Sequence, residues 1–268
     1  MVTQHGARQY YLKYVGLLPK TFLSVVEYAF HIQRRQSIKL NNWTWIKMNN
    51  FANESFKRLN PEKQERILKA AIAEFADRGY ELANTNRIAK RAKISVGSIF
   101  HYFNTKENLF LYIVQYGSAL IETHAGKVVD DETLSIAQKI EALVRLVVRT
   151  SREEITLIRL YHEMSSIGNQ ELISKLPRSM EQFTSERYIK MLEEGQRSGE
   201  VKPELDARLA AFSMDNILLS LQFAYACDYY RIRFQMYNNP EIDQEEYDEQ
   251  VISETFQFLK GALLVAED

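Results

Sequence analysis

The sequence predicts an all-α protein. Apolar residues recur at three- and four-residue steps in segment after segment, the spacing of amphipathic helices. Glycine and proline are sparse, 10 and 5 in 268 residues, too few for a turn-rich β architecture. Several of them sit where helices are expected to start and stop, as at Asn60-Pro61, Arg78-Gly79 and Gly199 with Pro203.

Taken in order, residues 1–47 are apolar and aromatic but broken by Lys13, Pro19, Lys20 and Glu27, and they hold Trp43 and Trp45. This segment is too interrupted to span a membrane and lacks the small-residue cleavage site of a signal peptide. It reads as a start placed ahead of the natural one near Met48, as a helical extension, or as a surface anchor. A first helix opens with Asn60 as N-cap and Pro61 at its first position. Ile67, Leu68, Ala71, Ile72 and Phe75 give it one apolar stripe, and Arg78-Gly79 closes it. A helix from Lys106 to about Thr123 carries Leu109, Ile113, Tyr116 and Leu120. From about residue 130 the chain reads as helical throughout. Faces are built on Ile136, Ile140, Leu143, Val144 and Val147, then on Ile155, Ile158, Leu160 and Tyr161. A helix from about Arg178 to Ser198 follows, then one from Asp206 to about Tyr237. The last runs from about Gln244 to Ala266, with Asn238-Asn239-Pro240 as the turn before it. The one cysteine, Cys227, falls in an apolar helical run and fits a core position in a reducing compartment.

The net charge of −1 conceals an asymmetry. Residues 1–47 carry 7 Lys/Arg against 1 Asp/Glu, residues 48–106 carry 11 against 6, and residues 107–268 carry 16 against 28. The front is basic and the rear acidic, as suits a chain that meets a polyanion with one end.

That basic front contains TNRIAKRAKISVGSIFHYFNTK, Thr85 to Lys106. Ile88, Ala89 and Ala92 form a short helical stripe with Thr85 as its expected N-cap, and Ser95 can cap a second helix. Ile99 and Phe103 face inward one turn apart, leaving Val96, Ser98, His101 and Tyr102 expected outside. Thr105 is the expected cap of the next helix. Helix, short turn, helix is the geometry that lays the second helix into a DNA major groove.

With ERILKAAIAEFADRGYELANTNRIAKRAKIS before it, SVGSIFHYFNTKENLF resembles the DNA-binding domain of tetracycline-repressor (TetR) type regulators over about residues 61–110. The resemblance implies a three-helix helix-turn-helix domain over 48–106 and a helical effector-binding and dimerisation domain over 107–268. It places Val96, Gly97, Ser98, His101 and Tyr102 in the groove, Thr85 and Asn86 on backbone, and Lys106 on a phosphate. The sequence departs from the family pattern at Val96, where a polar residue is frequent, and at Phe100, where Tyr often offers a hydroxyl. Lys93 replaces a frequent turn glycine.

For the rear the resemblance implies a pocket. Tyr161, Met164, Phe183, Tyr188, Phe212, Asn216, Phe223 and Tyr225 are the candidate lining. The last two helices are the expected face of a homodimer. An enzyme reading gains little, because His124, His162 and Glu163 lack ligand spacing and neither a phosphate loop nor a nucleophile elbow is present. The expected function is thus a cytoplasmic, ligand-responsive repressor without metal or cofactor. Its expected partners are an inverted-repeat operator and a small hydrophobic effector, with no membrane among them. The competing reading is a helical scaffold or small-molecule-binding protein whose head does not bind DNA.

Overall fold

The computed structural model of the chain describes residues 51–165, 168, 170–175, 179–238 and 245–266. The expectations for residues 1–47, for Trp43 and Trp45, and for the starts at Arg178 and Gln244 fall outside them. So does the Asn239-Pro240 part of the turn.

The head consists of α1 (Glu54–Lys57), α2 (Pro61–Leu82), α3 (Thr85–Arg91) and α4 (Val96–Phe103). Asn60 caps α2 by accepting from the Glu62 N–H, with Pro61 at its first position. Gly79 has left-handed φ (66°), so the regular part of α2 ends at Arg78 and a kinked turn runs on to Leu82. The expected cap of α3 needs correction. Asn84 accepts from the Asn86 N–H, and Thr85 is the first helical residue. Ser95 caps α4 and Thr105 caps the next helix, each accepting from the N–H three residues on. Ile67, Ala71, Phe75, Ile88, Ile99 and Phe103 are buried together in the head. Phe56 joins them, its ring 4.7 Å from that of Phe103 and 5.3 Å from that of Tyr112. α1 was not foreseen, because four residues are too few to show a period.

The rear comprises α5 (Lys106–Val129), α6 (Ile136–Glu153), α7 (Ile155–Ser165), α8 (Gln170–Lys175), α9 (Ser179–Ser198), α10 (Ala207–Ala226), α11 (Asp228–Tyr237) and α12 (Asp248–Leu263). A Ser135–Gln138 capping box opens α6, and left-handed Gly199 follows α9. One core is shared by α5, α6, α9, α10 and α12, with Leu143, Val144, Leu192, Met214 and Leu259 among its most buried residues. α7 packs along α2, and α5 packs on both α2 and α4, so two helices of the rear touch the head.

The helix expected from Asp206 to Tyr237 is two helices. Cys227 is extended (φ −113°, ψ 130°) and Asp228 begins α11. The Ala226 carbonyl left at the break accepts from Arg159 Nε at 2.7 Å. Cys227 is therefore a buried hinge residue and not part of a continuous helix. Asp228 favours a helix start on charge grounds, a signal that the unbroken apolar period conceals. α5 also runs six residues past the expected Thr123, to Val129.

Candidate functional site

On α4 the buried residues are Ile99, Tyr102 and Phe103, one position followed by its neighbours three and four later. The opposite face carries Gly97, Phe100 and His101, all exposed, with Val96 and Ser98 half-buried at its edge. Around this helix stand the exposed cations Lys90, Arg91 and Lys93. The surface is a short helix presented outward with cations beside it, the arrangement that lets a helix enter a major groove. Hydrogen bonds at both ends of α3 hold the pair of helices on α2. Glu74, buried on α2, accepts from Arg87 Nε at 2.7 Å and from the Asn84 N–H at 3.1 Å, which ties the start of α3 to α2. Burial pushes the Glu74 carboxyl up, but the Arg87 and Asn84 hydrogen bonds and the Arg87 charge outweigh it and leave the pKa below the ordinary value. Arg66 Nε donates to the Ala92 carbonyl at 2.8 Å, fixing the other end of α3.

A cavity of about 100 Å³ lies in the rear between α5, α6, α7, α9 and α10. Leu143, Val147 and Leu218 give it apolar walls, and Tyr161 and Tyr188 give it aromatic ones. Glu122, Asp215, His124 and Gln222 supply its polar groups. Burial raises the Tyr188 phenol, and nearby Asp215 raises it further, so that hydroxyl stays protonated. One wall of the cavity is α5, the helix that begins three residues after the end of α4.

The model of the family described as bacterial regulatory proteins, tetR family, matches residues 67–113, from the middle of α2 through α4 into α5. The uncharacterised HTH-type transcriptional regulator YhgD of Bacillus subtilis is 26% identical over 165 residues, covering 60% of this chain and 83% of that protein. This chain carries the DNA-binding domain of the TetR family of transcriptional regulators. The fatty acid metabolism regulator protein of Bacillus subtilis is 27% identical over 154 residues, 55% of this chain and 75% of that one. A crystal structure of AibR in complex with isovaleryl coenzyme A and operator DNA superposes with TM-score 0.57 at 19% identity, over 73% of this chain and 97% of that one. The fold is a TetR-type helix-turn-helix followed by a helical domain.

Within this TetR-type head, two expected contact residues are placed otherwise. Tyr102 is 8% exposed, its ring 5.9 Å from that of Phe56. It belongs to the head core because it lies three residues after buried Ile99, and Phe100 takes the outer position. Lys106 Nζ donates to the carbonyls of Tyr80, Glu81 and Ala83 at 2.9, 3.1 and 3.4 Å. Its ammonium closes the end of α2 and is not held out toward a phosphate. Thr85 is half-buried and Asn86 exposed at the start of α3; Val96, Gly97, Ser98 and His101 stay on the outer side of α4.

Of the candidate pocket residues, only Tyr161 and Tyr188 line the cavity. Phe212 (67% exposed) and Asn216 lie on the outer face of α10, because they are one turn apart on the side opposite Met214 and Leu218. Tyr225 donates to Asp248, which also holds Arg152, and Phe223 packs with Ile158, Ala226 and Cys227. Phe183 lies beneath Arg187, 3.6 Å from its guanidinium carbon, and Met164 is buried elsewhere. The lining that was missed had a legible signal. Asp215 and Gln222 stand seven residues apart on an otherwise apolar face of α10, and Glu122 breaks the stripe of α5.

Proposed function

We propose that this regulator is a repressor that binds an inverted-repeat operator as a homodimer and is released by a moderately hydrophobic small molecule held in the rear cavity. In this reading residues 48–106 are the DNA-binding domain and 107–268 the effector-binding and dimerisation domain. Val96, Gly97, Ser98, Phe100 and His101 face base edges, and Thr85 and Asn86 meet backbone. Phe100 and Val96 offer apolar contact to a thymine methyl. The observation that carries the reading is the double role of α5, which follows the recognition helix and walls the cavity. Dimerisation is supported by apolar side chains left outside on α10 and α12. Leu209 and Phe212 are both 67% exposed and Phe258 is 64% exposed, a face suited to a four-helix bundle across a two-fold axis. AibR, with its bound isovaleryl coenzyme A and operator DNA, gives a precedent for one such chain holding both kinds of partner. A DNA-bound regulator of this kind works in the cytoplasm.

The test is operator binding by the full chain on the intergenic DNA beside its own gene, across a salt series. Affinity there should exceed that for random DNA by about 10³-fold or more and fall steeply with salt. His101→Ala should weaken operator binding by about 1–3 kcal/mol while leaving random-DNA binding nearly unchanged. Equal affinity for operator and random DNA, or no effect of His101→Ala, overturns the proposal.

A further inference from the structure

We infer that Asn53, at the start of α1, is a positioning residue for DNA reading: it caps the recognition helix from outside and so sets where His101 meets the operator. This rests on the reading of α4 as the recognition helix of an operator-binding regulator. Asn53 lies ahead of residues 67–113, the stretch that matches the family. α4 has eight residues, and so short a helix frays unless its ends are held. Its last four carbonyls have no partner within the helix. That of Phe100 accepts from the Asn104 N–H at 2.8 Å and that of Phe103 from the Thr105 N–H at 2.7 Å. The two between them are met by one residue 48 positions earlier. Asn53 Nδ2 donates to the His101 carbonyl, and the Asn53 N–H donates to the Tyr102 carbonyl at 2.9 Å.

Asn53 is itself fixed. Its Oδ1 accepts from the Phe56 N–H at 3.1 Å as the N-cap of α1, so both ends of the carboxamide are engaged and its orientation is set. α1 is held in turn from two sides. Phe56 is 1% exposed and packs on Phe103, the last residue of α4. From α2, Gln64 Nε2 donates to the carbonyls of Phe56, Lys57 and Leu59 at 3.0, 2.9 and 3.2 Å. A frame thus runs from α2 through α1 to the last turn of α4. His101 stands in that turn with its side chain exposed, so the bond from Asn53 acts on the backbone of the residue assigned to base reading. Hydrogen bonds weaken steeply with misalignment. Freeing this turn would therefore loosen base reading without touching the phosphate attraction that supplies non-specific affinity. That difference separates Asn53 from an ordinary structural cap.

The test is Asn53→Ser in the full chain, with binding to operator and to random DNA measured side by side. Serine is a good N-cap, so α1 keeps its start, but it has no amide to give to the His101 carbonyl. Operator binding should weaken about five- to tenfold, part of what a base contact supplies, while random-DNA binding and the melting temperature hold. In a His101→Ala background the same change should cost less than about twofold, because residues that act through one another are not additive. Four results overturn the inference and leave the repressor reading standing: unchanged operator affinity, an equal loss on both DNAs, a full-sized loss in the His101→Ala background, or a marked fall in melting temperature. Failure of the wild-type chain to bind its operator, or of His101→Ala to weaken that binding, is the separate result that removes the repressor reading and this inference with it.

Discussion

Lys93 has φ 53° in the turn between α3 and α4. Its N–H bonds to the Lys90 carbonyl at 3.2 Å, and the Ile94 N–H to that of Ala89 at 3.0 Å, the Schellman pattern. Glycine is favoured at this position because a left-handed side chain costs about 1–2 kcal/mol. Lys93→Gly should therefore raise the stability of the chain by about 1 kcal/mol in urea titrations, and Lys93→Val should lower it. A destabilised glycine variant would show that the lysine side chain contributes more than its backbone geometry costs. The departure from the family pattern at this residue was legible in the sequence, and its backbone consequence followed directly. The exchange of Tyr102 for Phe100 was legible too, since a residue three after Ile99 shares its face. It was missed because a tyrosine hydroxyl invites a polar reading, although the ring supplies most of the area. Tyr102→Ala should cost about 3–5 kcal/mol of stability, as for a buried aromatic. Phe100→Ala should leave stability within about 0.5 kcal/mol, as at exposed sites, and reduce operator affinity. A Tyr102→Ala chain that melts like wild type would put that ring outside the core.

At the scale of elements, ties to the ends of α2 and α3 hold the recognition helix in place. Lys106 reaches from the first turn of α5 to the last carbonyls of α2, with its ammonium 4.7 Å from the Tyr80 ring. Lys106→Met should cost about 1.5–3 kcal/mol, the range for hydrogen bonds to a charged group. It should leave the salt slope of DNA binding nearly unaltered. A slope shallower by one unit with unchanged stability would return Lys106 to the phosphates. The Glu74–Arg87 pair gives a pH signature. The Glu74 pKa is lowered in the folded chain, so its contribution is present above the ordinary carboxylate value and disappears as pH falls through the folded one. Arg87→Met leaves a buried carboxylate unpaired and should cost about 2 kcal/mol at neutral pH, with a smaller deficit near pH 4. An equal deficit at both values would exclude an electrostatic origin. Most helices were legible because their caps and apolar periods agree, as at Asn60, Ser95, Thr105 and Ser135. The break at Cys227 was not, because neither glycine nor proline marks it and the groups that close it, Arg159 and the Ala226 carbonyl, lie 67 residues apart. The cavity was half legible for a similar reason. Its two tyrosines stood out, but its polar lining comes from four helices whose register only packing sets.

Over the whole molecule, two of the helices that wall the cavity, α5 and α7, also touch the head. α5 carries Ser118 and Glu122 at the cavity and packs on α2 and α4, and α7 carries Tyr161 and packs along α2. A ligand larger than the resting cavity must part these helices, and in the proposed dimer parting them would move the two recognition helices relative to one another. Half-sites are read at a fixed spacing of one helical turn, so a shift of a few ångströms spoils simultaneous docking. The α5–α7 contact can be wedged without a ligand. A Cβ on Gly117 of α5 would lie 2.6 Å from Leu157 Cδ1 and 3.4 Å from its Cγ, and Leu157 is buried on α7. Gly117→Ala must therefore push α7 away or force Leu157 from its rotamer, a strain of about 1–3 kcal/mol. Because linkage is reciprocal, whatever relieves that strain by parting the helices also weakens DNA binding. Gly117→Ala should lower operator affinity without effector by about tenfold, the lower part of the usual coupling range. Adding Leu157→Ala removes the clashing atoms and should restore most of that affinity, even though the cavity it leaves lowers the melting temperature. Unchanged operator affinity in the single variant, or no recovery in the double one, would mean that the spacing of α5 and α7 does not carry the signal.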